Sequence, residues 1–261
     1  FTFGSEKEYL SIPRETLIID LAQKYAKKLI ELNKDKYELI GYCIGGFIAL
    51  ETAKILKENG KYVSRVILIS SHLCLHSIDN QVLIEYAYGN VINSDLSKIG
   101  INNENNRLQK ALISLVKDEN VNITNESLSE LSGDFEDLGL AFSKLLKLSH
   151  KERLKLMYEY LNKKEFNGEK STISMLNILY NIFEHSFKGM IYYKPDIYDL
   201  DVIVLNPSVK VSTFFPETKS DVNWDEVIIG DLKICSIEGT HESCIDDTHI
   251  KNILPYLIRR W

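Results

Sequence analysis

This 261-residue chain lacks long apolar runs, basic clusters and an N-terminal leader pattern. Its apolar runs fall well short of the roughly 18–20 residues that span a bilayer, and no basic segment followed by an apolar core opens the chain. The formal net charge is −6 and the basic residues are scattered, which argues against nucleic acid or an anionic membrane surface as a partner. We therefore expect a cytoplasmic protein that binds neither a membrane nor nucleic acid.

Cysteine is also scarce. The four cysteines are Cys43, Cys74, Cys235 and Cys244. They show no metal-ligand spacing and are too few for a disulfide scaffold at this length. We therefore expect no bound metal. Cys43 is interpreted as a free thiol, and the other three as core or near-surface residues.

Positions 41–46 read Gly-Tyr-Cys-Ile-Gly-Gly. They follow an apolar run at 37–42 and precede an apolar-periodic stretch at 44–56, so Cys43 is predicted on a strand-to-helix turn. Such a turn is typical of a nucleophile elbow, where glycines two before and two after the nucleophile allow a sharp backbone turn. Nucleotide-binding α/β proteins also use glycines at such turns for close packing, so the motif alone does not separate the two interpretations.

The sequence continues from 45 to 53 as Gly-Gly-Phe-Ile-Ala-Leu-Glu-Thr-Ala. This resembles the GxSxGGxxAxExA block of the type I thioesterase domains of nonribosomal peptide and polyketide synthetases, which belong to the α/β-hydrolase superfamily. Cys43 stands in place of the nucleophilic serine. The segment 187–205, with its Tyr-x-Pro step, and Trp224 also resemble this family, as does the Gly-x-His segment that ends at His241.

The resemblance implies an α/β-hydrolase fold, a mainly parallel sheet flanked by helices with a helical lid insertion. Period-two and buried apolar runs predict strands at 37–42, 63–70, 202–205 and 232–237, and helical spacing predicts helices at 14–33 and 248–259. Between them, amphipathic helices are predicted at 107–116, 138–148, 152–161 and 174–183. The predicted organisation is residues 1–79 and 187–261 as the two parts of the hydrolase core, and 80–186 as the lid. An independent helical domain is the alternative for 80–186.

The first residue is Phe1, and the Phe-Thr-Phe run there is typical of a strand already under way. The family has a further strand and a loop upstream, and that loop supplies one of the two oxyanion-hole amides. We expect both to be absent from this segment.

The resemblance assigns catalytic roles to Cys43 as nucleophile and His241 as general base. The backbone N–H of Ile44 would be one oxyanion donor. The chain order, nucleophile before histidine, is that of an α/β-hydrolase. His72 is the main rival to His241, whereas the other four histidines, at 76, 150, 185 and 249, fit no catalytic position.

The third member of the triad departs from the family pattern. Ser70 stands where the family commonly has aspartate, and a serine hydroxyl can orient a histidine but cannot offset its charge. A Cys–His dyad is one resolution, because a thiol ionises more readily than a hydroxyl, and more so beside a histidine or a helix N-terminus. The other is an acid supplied later in the chain, for which Asn206, Glu217 and Asp221 are the candidates.

The implied substrate is a peptidyl or acyl chain on the phosphopantetheine arm of a partner carrier domain, with no cofactor bound by the thioesterase itself. A cysteine nucleophile exchanges thioester for thioester, which favours passing the chain to an internal amine or hydroxyl, although hydrolysis remains open. Two alternatives are a stand-alone editing (type II) thioesterase and a catalytically inactive thioesterase-like binding or scaffolding domain.

Overall fold

The computed structural model describes residues 5–72, 79–102, 106–115, 123–161, 165–166, 169–170, 172–209 and 224–258. The chain divides into two compact units. The sheet unit consists of Phe1–Leu75, Tyr192–Val211 and Asp221–Trp261, and the helical unit of His76–Ile191 and Ser212–Ser220. Each unit is treated separately below.

Strands and α-helices follow one another in this order. The first part contains α1 (Glu6–Leu10), α2 (Leu17–Leu32), β1 (Tyr37–Tyr42), α3 (Ile44–Glu58) and β2 (Val63–Ile69). The middle part contains α4 (Gln81–Val91), α5 (Arg107–Leu115), α6 (Asn125–Ser129), α7 (Glu136–Leu145), α8 (His150–Glu159), β3 (Glu165–Phe166), β4 (Glu169–Lys170) and α9 (Ile173–Tyr192). The last part contains β5 (Val202–Pro207), α10 (Trp224–Val227), β6 (Leu232–Ile237) and α11 (Leu254–Ile258). Short 3-10 turns occupy Leu96–Ile99, Gly133–Phe135 and Ile250–Asn252.

The sheet unit contains a four-stranded sheet in the order β1-β2-β5-β6, and every strand pair in it is parallel. Tyr42 pairs with Ile69, Ile69 with Leu205, and Leu205 with Cys235. The residues that follow the strands therefore share the carboxyl edge of the sheet, where open parallel sheets place their ligand and catalytic residues. The prediction of a parallel sheet is confirmed.

Helical segments cover both faces of this sheet. On one face, a Cβ built at Gly46 of α3 would lie 3.4 Å from Leu68 Cδ2, so α3 packs directly on β2. On the other face, Ile67 and Ile203 form an apolar cluster with Ile253 at the C-terminal end of the chain. Alternate residues of β2 thus face opposite helical layers, and this explains why its sequence is apolar nearly throughout.

The C-terminal helix differs from the prediction of one helix over 248–259. The described residues form a 3-10 turn, Ile250–Asn252, followed by the short α11. Pro255 accounts for the interruption, because proline has no N–H to donate and disfavours helical backbone in the residue before it. Arg259 lies outside the described residues.

The helical unit has its own apolar core. Its largest fully buried side chains are aromatic, and Tyr86, Tyr88, Phe142 and Tyr180 belong to one cluster. In α5, α7 and α8 this burial follows an amphipathic pattern with one apolar stripe turned inward, whereas α4 is buried on all sides from 82 to 89. No helix among the residues described is long and apolar enough to cross a membrane.

Candidate active site

Cys43 lies between the end of β1 and the start of α3, with φ 54° and ψ −125°. A non-glycine residue in this region carries backbone strain of order 1–3 kcal/mol, which the surrounding hydrogen bonds must overcome. The Cys43 N–H donates to Ile69 O at 3.0 Å, and the Ser71 hydroxyl donates to Cys43 O at 2.7 Å. Both ends of the strained residue are thus held by the end of β2.

The glycines of the elbow have unequal roles. A Cβ at Gly41 would lie 2.1 Å from Gly45 O, and a Cβ at Gly46 would lie 2.1 Å from Ser71 Oγ. A Cβ at Gly45 would meet no described atom within 4 Å. The glycine two residues before Cys43 is therefore required sterically, as predicted. On the C-terminal side, however, the requirement falls three residues after Cys43 rather than two.

His241 follows β6 and lies within hydrogen-bond distance of Ser70, the residue that follows β2. Ser70 Oγ is 2.6 Å from His241 Nδ1. Ser70 itself has a positive φ of 49°, and its N–H donates to Leu205 O at 2.9 Å. When Nδ1 carries the hydrogen and donates it to Ser70, Nε2 is left as the basic nitrogen of the ring. The structure therefore places a hydroxyl where the related domains commonly carry a carboxylate.

Tyr42 also holds the histidine segment. Its hydroxyl donates to His241 O at 2.7 Å, and its ring stacks on the imidazole with centroids 5.1 Å apart and an interplanar angle of 26°. Tyr42 immediately precedes Cys43, so one strand end carries the thiol and contacts the histidine. Sequence reasoning assigned Tyr42 no role, although its place inside the elbow motif was a usable signal.

Burial keeps both the thiol and the imidazole neutral. Burial raises the pKa of Cys43 to about 11, the Ile44 N–H opposes this by stabilising the thiolate, and Glu242 adds to the rise. Burial lowers the pKa of His241, with Glu242 opposing. A pKa of Cys43 below its usual value, expected from the helix start and the histidine, is therefore wrong for this structure, because desolvation of the thiolate outweighs both.

Three residues were candidates for the third member of the triad, and the structure describes one of them. Asn206 lies in β5, and its Oδ1 is buried with no hydrogen-bond partner among the described residues. The residue bonded to His241 Nδ1 is Ser70, not Asn206. Glu217 and Asp221 lie outside the part of the chain that the structure describes.

A buried glutamate links the elbow helix α3 to the segment that precedes β5. Glu51 of α3 is 5 % exposed, and its Oε1 accepts hydrogen bonds from the hydroxyls of Tyr193 (2.7 Å) and Tyr198 (2.5 Å). The Phe47 ring of the same helix stacks on Trp224 with centroids 6.4 Å apart. The glutamate of the motif, the Tyr-x-Pro step and the tryptophan therefore all contribute to fixing α3.

Of the remaining cysteines and histidines that the structure describes, Cys244 contacts the main chain of His241. Cys235 is in β6, Cys244 is fully buried with its thiol 3.4 Å from His241 O, and Cys74 is outside the described residues. His72 is exposed, His150 contacts Glu85 in the helical unit, His185 is buried in α9 and His249 is 3.1 Å from Asp246. His76 lies outside the described residues. Across the described ranges, no group of three or more candidate ligand residues could hold a metal ion.

Comparison with known proteins identifies the family of this chain. Residues 11–257 match the thioesterase domain family, and the chain belongs to that family. Its parallel sheet flanked by helices is the α/β-hydrolase fold of these domains, which confirms the predicted fold class.

Two matches are with the pyochelin synthetase PchF of Pseudomonas aeruginosa. One is 24% identical over 242 residues and covers 92% of this chain and 12% of the synthetase. The other, from a second strain, is 34% identical over 92 residues and covers 35% of this chain and 5% of the synthetase. This chain therefore spans only a small part of the length of these relatives.

Among solved structures, a four-domain nonribosomal peptide synthetase bound to AMP and glycine is similar, with a TM-score of 0.52 and 16% identity. The match covers 92% of this chain and 15% of that one. It supports the fold.

Proposed function

We propose that this chain is a chain-terminating thioesterase or cyclase. In this proposal Cys43 accepts a peptidyl or acyl chain from the phosphopantetheine thioester of a carrier domain, and the chain is released by intramolecular attack or by water. The observation that carries the proposal is the strained turn at Cys43 together with His241, whose Nδ1 is 2.6 Å from Ser70 Oγ. Similarity to synthetases supports the carrier-bound substrate.

Because the pKa of the Cys43 thiol is raised, the first step of the proposed reaction requires a base. Since the thiol is protonated at neutral pH, its proton must leave as the sulfur attacks the thioester carbonyl, and His241 Nε2 is the base assigned to accept it. Attack forms the carbon–sulfur bond and places negative charge on the carbonyl oxygen. The Ile44 N–H, at the start of α3, is the proposed donor to that oxygen.

Collapse of this intermediate breaks the bond to the pantetheine sulfur, which leaves with the proton returned by His241. The product is a thioester on Cys43. An amine or hydroxyl of the bound chain, or a water molecule, then attacks the thioester carbonyl and gives a proton to His241 as the new bond forms, and the Cys43 sulfur leaves and is reprotonated by His241. Because the enzyme-bound intermediate remains a thioester, it stays activated for attack by an internal amine or hydroxyl.

Ser70 is assigned the orienting part of the missing aspartate's role. Its hydroxyl oxygen accepts the Nδ1 hydrogen and so fixes the tautomer, but it supplies no negative charge to an imidazolium. A thiol requires less charge compensation than a serine hydroxyl, because its intrinsic pKa is several units lower. The substitution of serine for aspartate is therefore compatible with cysteine at 43.

The segment 80–186 is proposed to act as a lid that shields the acyl-enzyme from water. Its amphipathic helices and their apolar core support a compact helical insertion. Hydrogen exchange of the Cys43 acyl adduct against the free protein tests this. Slower exchange in α4 to α9 is expected, and unchanged exchange there contradicts the lid.

The acyl-enzyme itself tests the main proposal. Incubation with an acyl-pantetheine thioester should add one acyl group to the peptide that contains Cys43, as seen by mass spectrometry. Cys43→Ala should abolish the adduct, whereas Cys235→Ala, the matched control in β6, should retain it. An adduct that persists in Cys43→Ala excludes Cys43 as the nucleophile. No adduct on any residue, together with retained binding of the carrier domain, favours the scaffolding interpretation.

A further inference from the structure

Ser70 and Tyr42 contact His241 in different ways. In the sheet unit Ser70 contacts only the ring, at Nδ1. Tyr42 contacts both the imidazole and the main chain of His241. Its ring lies over the imidazole, and its hydroxyl binds the carbonyl of the same residue. These two contacts restrain the position and the plane of the ring together.

We propose that Tyr42 is the positioning residue for His241, and that it restrains the histidine segment from the strand that carries the nucleophile. The inference rests on the proposed function, because it assigns His241 as the base. The assigned role is distinct from that of Ser70: Tyr42 holds the imidazole in place, and Ser70 selects its tautomer. Neither residue contacts the thioester in the proposed reaction.

The tyrosine hydroxyl is suited to this role because it stays protonated. Burial raises the pKa of Tyr42, and the neighbouring thiol groups and Glu242 raise it further. The hydroxyl therefore remains a hydrogen-bond donor over the whole pH range in which the thiol and imidazole titrate. The restraint on His241 O is accordingly insensitive to the protonation steps of the reaction.

The chain supplies a matched control in the same strand. Tyr37 is the first residue of β1 and Tyr42 the last, and Tyr37 donates its hydroxyl to Leu29 O at 2.6 Å. Tyr37→Phe and Tyr42→Phe therefore each remove one hydrogen bond from a tyrosine to a main-chain carbonyl, and Tyr37→Phe also removes the bond that its hydroxyl accepts from Lys34 N–H at 3.0 Å. Of these two carbonyls, the one contacted by Tyr42 belongs to His241.

The experiment compares Tyr42→Phe, Tyr42→Leu and Tyr37→Phe in the whole chain. Tyr42→Phe is expected to lower kcat about 10- to 100-fold with little change in KM, since misplacing a catalytic group acts on the reacting complex. Tyr42→Leu, which also removes the ring stacking, should lower it further. Tyr37→Phe should leave kcat unchanged, and thermal unfolding should show that it loses at least as much stability as Tyr42→Phe, since its hydroxyl makes two hydrogen bonds.

A second readout does not depend on activity. The 15N signals of the His241 imidazole should report one tautomer with hydrogen on Nδ1 in the unmodified protein and in Tyr37→Phe. In Tyr42→Phe the less restrained ring should lose part of its contact with Ser70, and the signals should then report an average of the two tautomers. Identical spectra and equal kcat for Tyr42→Phe and the unmodified protein would overturn the proposal, as would equal loss in both phenylalanine variants. If Cys43→Ala retains turnover, the proposed function fails while the spectrum still decides the role of Tyr42.

Discussion

Buried polar groups have charged partners in the helical unit and neutral partners at the candidate site of the sheet unit. In the helical unit, Glu85 has no exposed side-chain surface and is paired with Arg153 and His150, Arg153 binding it through two nitrogens. In the sheet unit, the thiol of Cys43 and the imidazole of His241 are held by neutral donors and acceptors and have pKa values shifted by burial. Paired opposite charges stabilise each other, whereas shifted neutral groups remain available for proton transfer. The comparison separates a structural cluster from the cluster that we propose to be reactive.

The largest effect is expected at the nucleophile. Cys43→Ala should reduce turnover of an acyl-pantetheine thioester by at least about 10⁴-fold, since loss of a nucleophile leaves only binding and oxyanion contributions. Free thiol release is the measurement, with Cys235→Ala as the control. Retained turnover in Cys43→Ala would show that the reactive cluster is elsewhere.

The second prediction concerns the missing aspartate. In a Cys43→Ser background, Ser70→Asp should raise turnover strongly, up to the factor of order 10⁴ that a triad aspartate contributes in serine proteases. In the native Cys43 background the same change should alter turnover only modestly. Carrier-mimicking thioester release is measured in all four combinations. Equal effects in both backgrounds would mean that the acid is supplied by another residue.

The third prediction concerns the stability of the protein when the buried ion pair of the helical unit is broken. Glu85→Gln leaves Arg153 buried without its anionic partner, and the free energy of unfolding should fall by about 3–5 kcal/mol. Denaturant unfolding measures this loss. Replacing both partners, as Glu85→Leu with Arg153→Leu, should cost less than the single change. A double variant as unstable as the sum of both single variants would contradict the view that the cluster is a self-contained pair.

The fourth prediction concerns the pH dependence of Cys43 alkylation. Alkylation requires the thiolate, and a Cys43 pKa of about 11 means that the rate of modification by iodoacetamide should rise about tenfold per pH unit from pH 7 to 10. Mass spectrometry of the peptide containing Cys43 gives the rate. A plateau starting near pH 6 or 7 would instead indicate a preformed thiolate–imidazolium pair.

The smallest effects are expected at the glycines of the elbow. Gly46→Ala places a methyl group against Ser71 and should destabilise the protein by about 1–3 kcal/mol. Gly45→Ala enters open space in the first turn of α3 and should be neutral or stabilising by up to about 1 kcal/mol. Thermal unfolding compares the two. Equal destabilisation by both would contradict the steric difference between them.

Much of the sheet unit was predictable because its signals are local. The bounds of β1 and β6 coincide with their apolar runs, and the elbow motif places Cys43 between strand and helix. The full length of α9 was not predicted, since the pattern there indicated only 174–183 and the helix spans Ile173–Tyr192. Its continuation depends on burial of residues such as His185 and Phe187, which no local pattern reveals.

By itself the sequence determined the order of the four sheet strands along the chain, the position of Cys43 on its turn and the absence of aspartate at position 70, because each depends on residue type and short-range spacing. Tertiary structure alone decided that Ser70 lies 2.6 Å from His241, 171 positions away, and that Tyr42 stacks on the same ring. It also decided that the pKa of Cys43 is raised rather than lowered. Strand register and burial bring distant residues together and remove water from them, and neither is encoded in the spacing of neighbours along the chain.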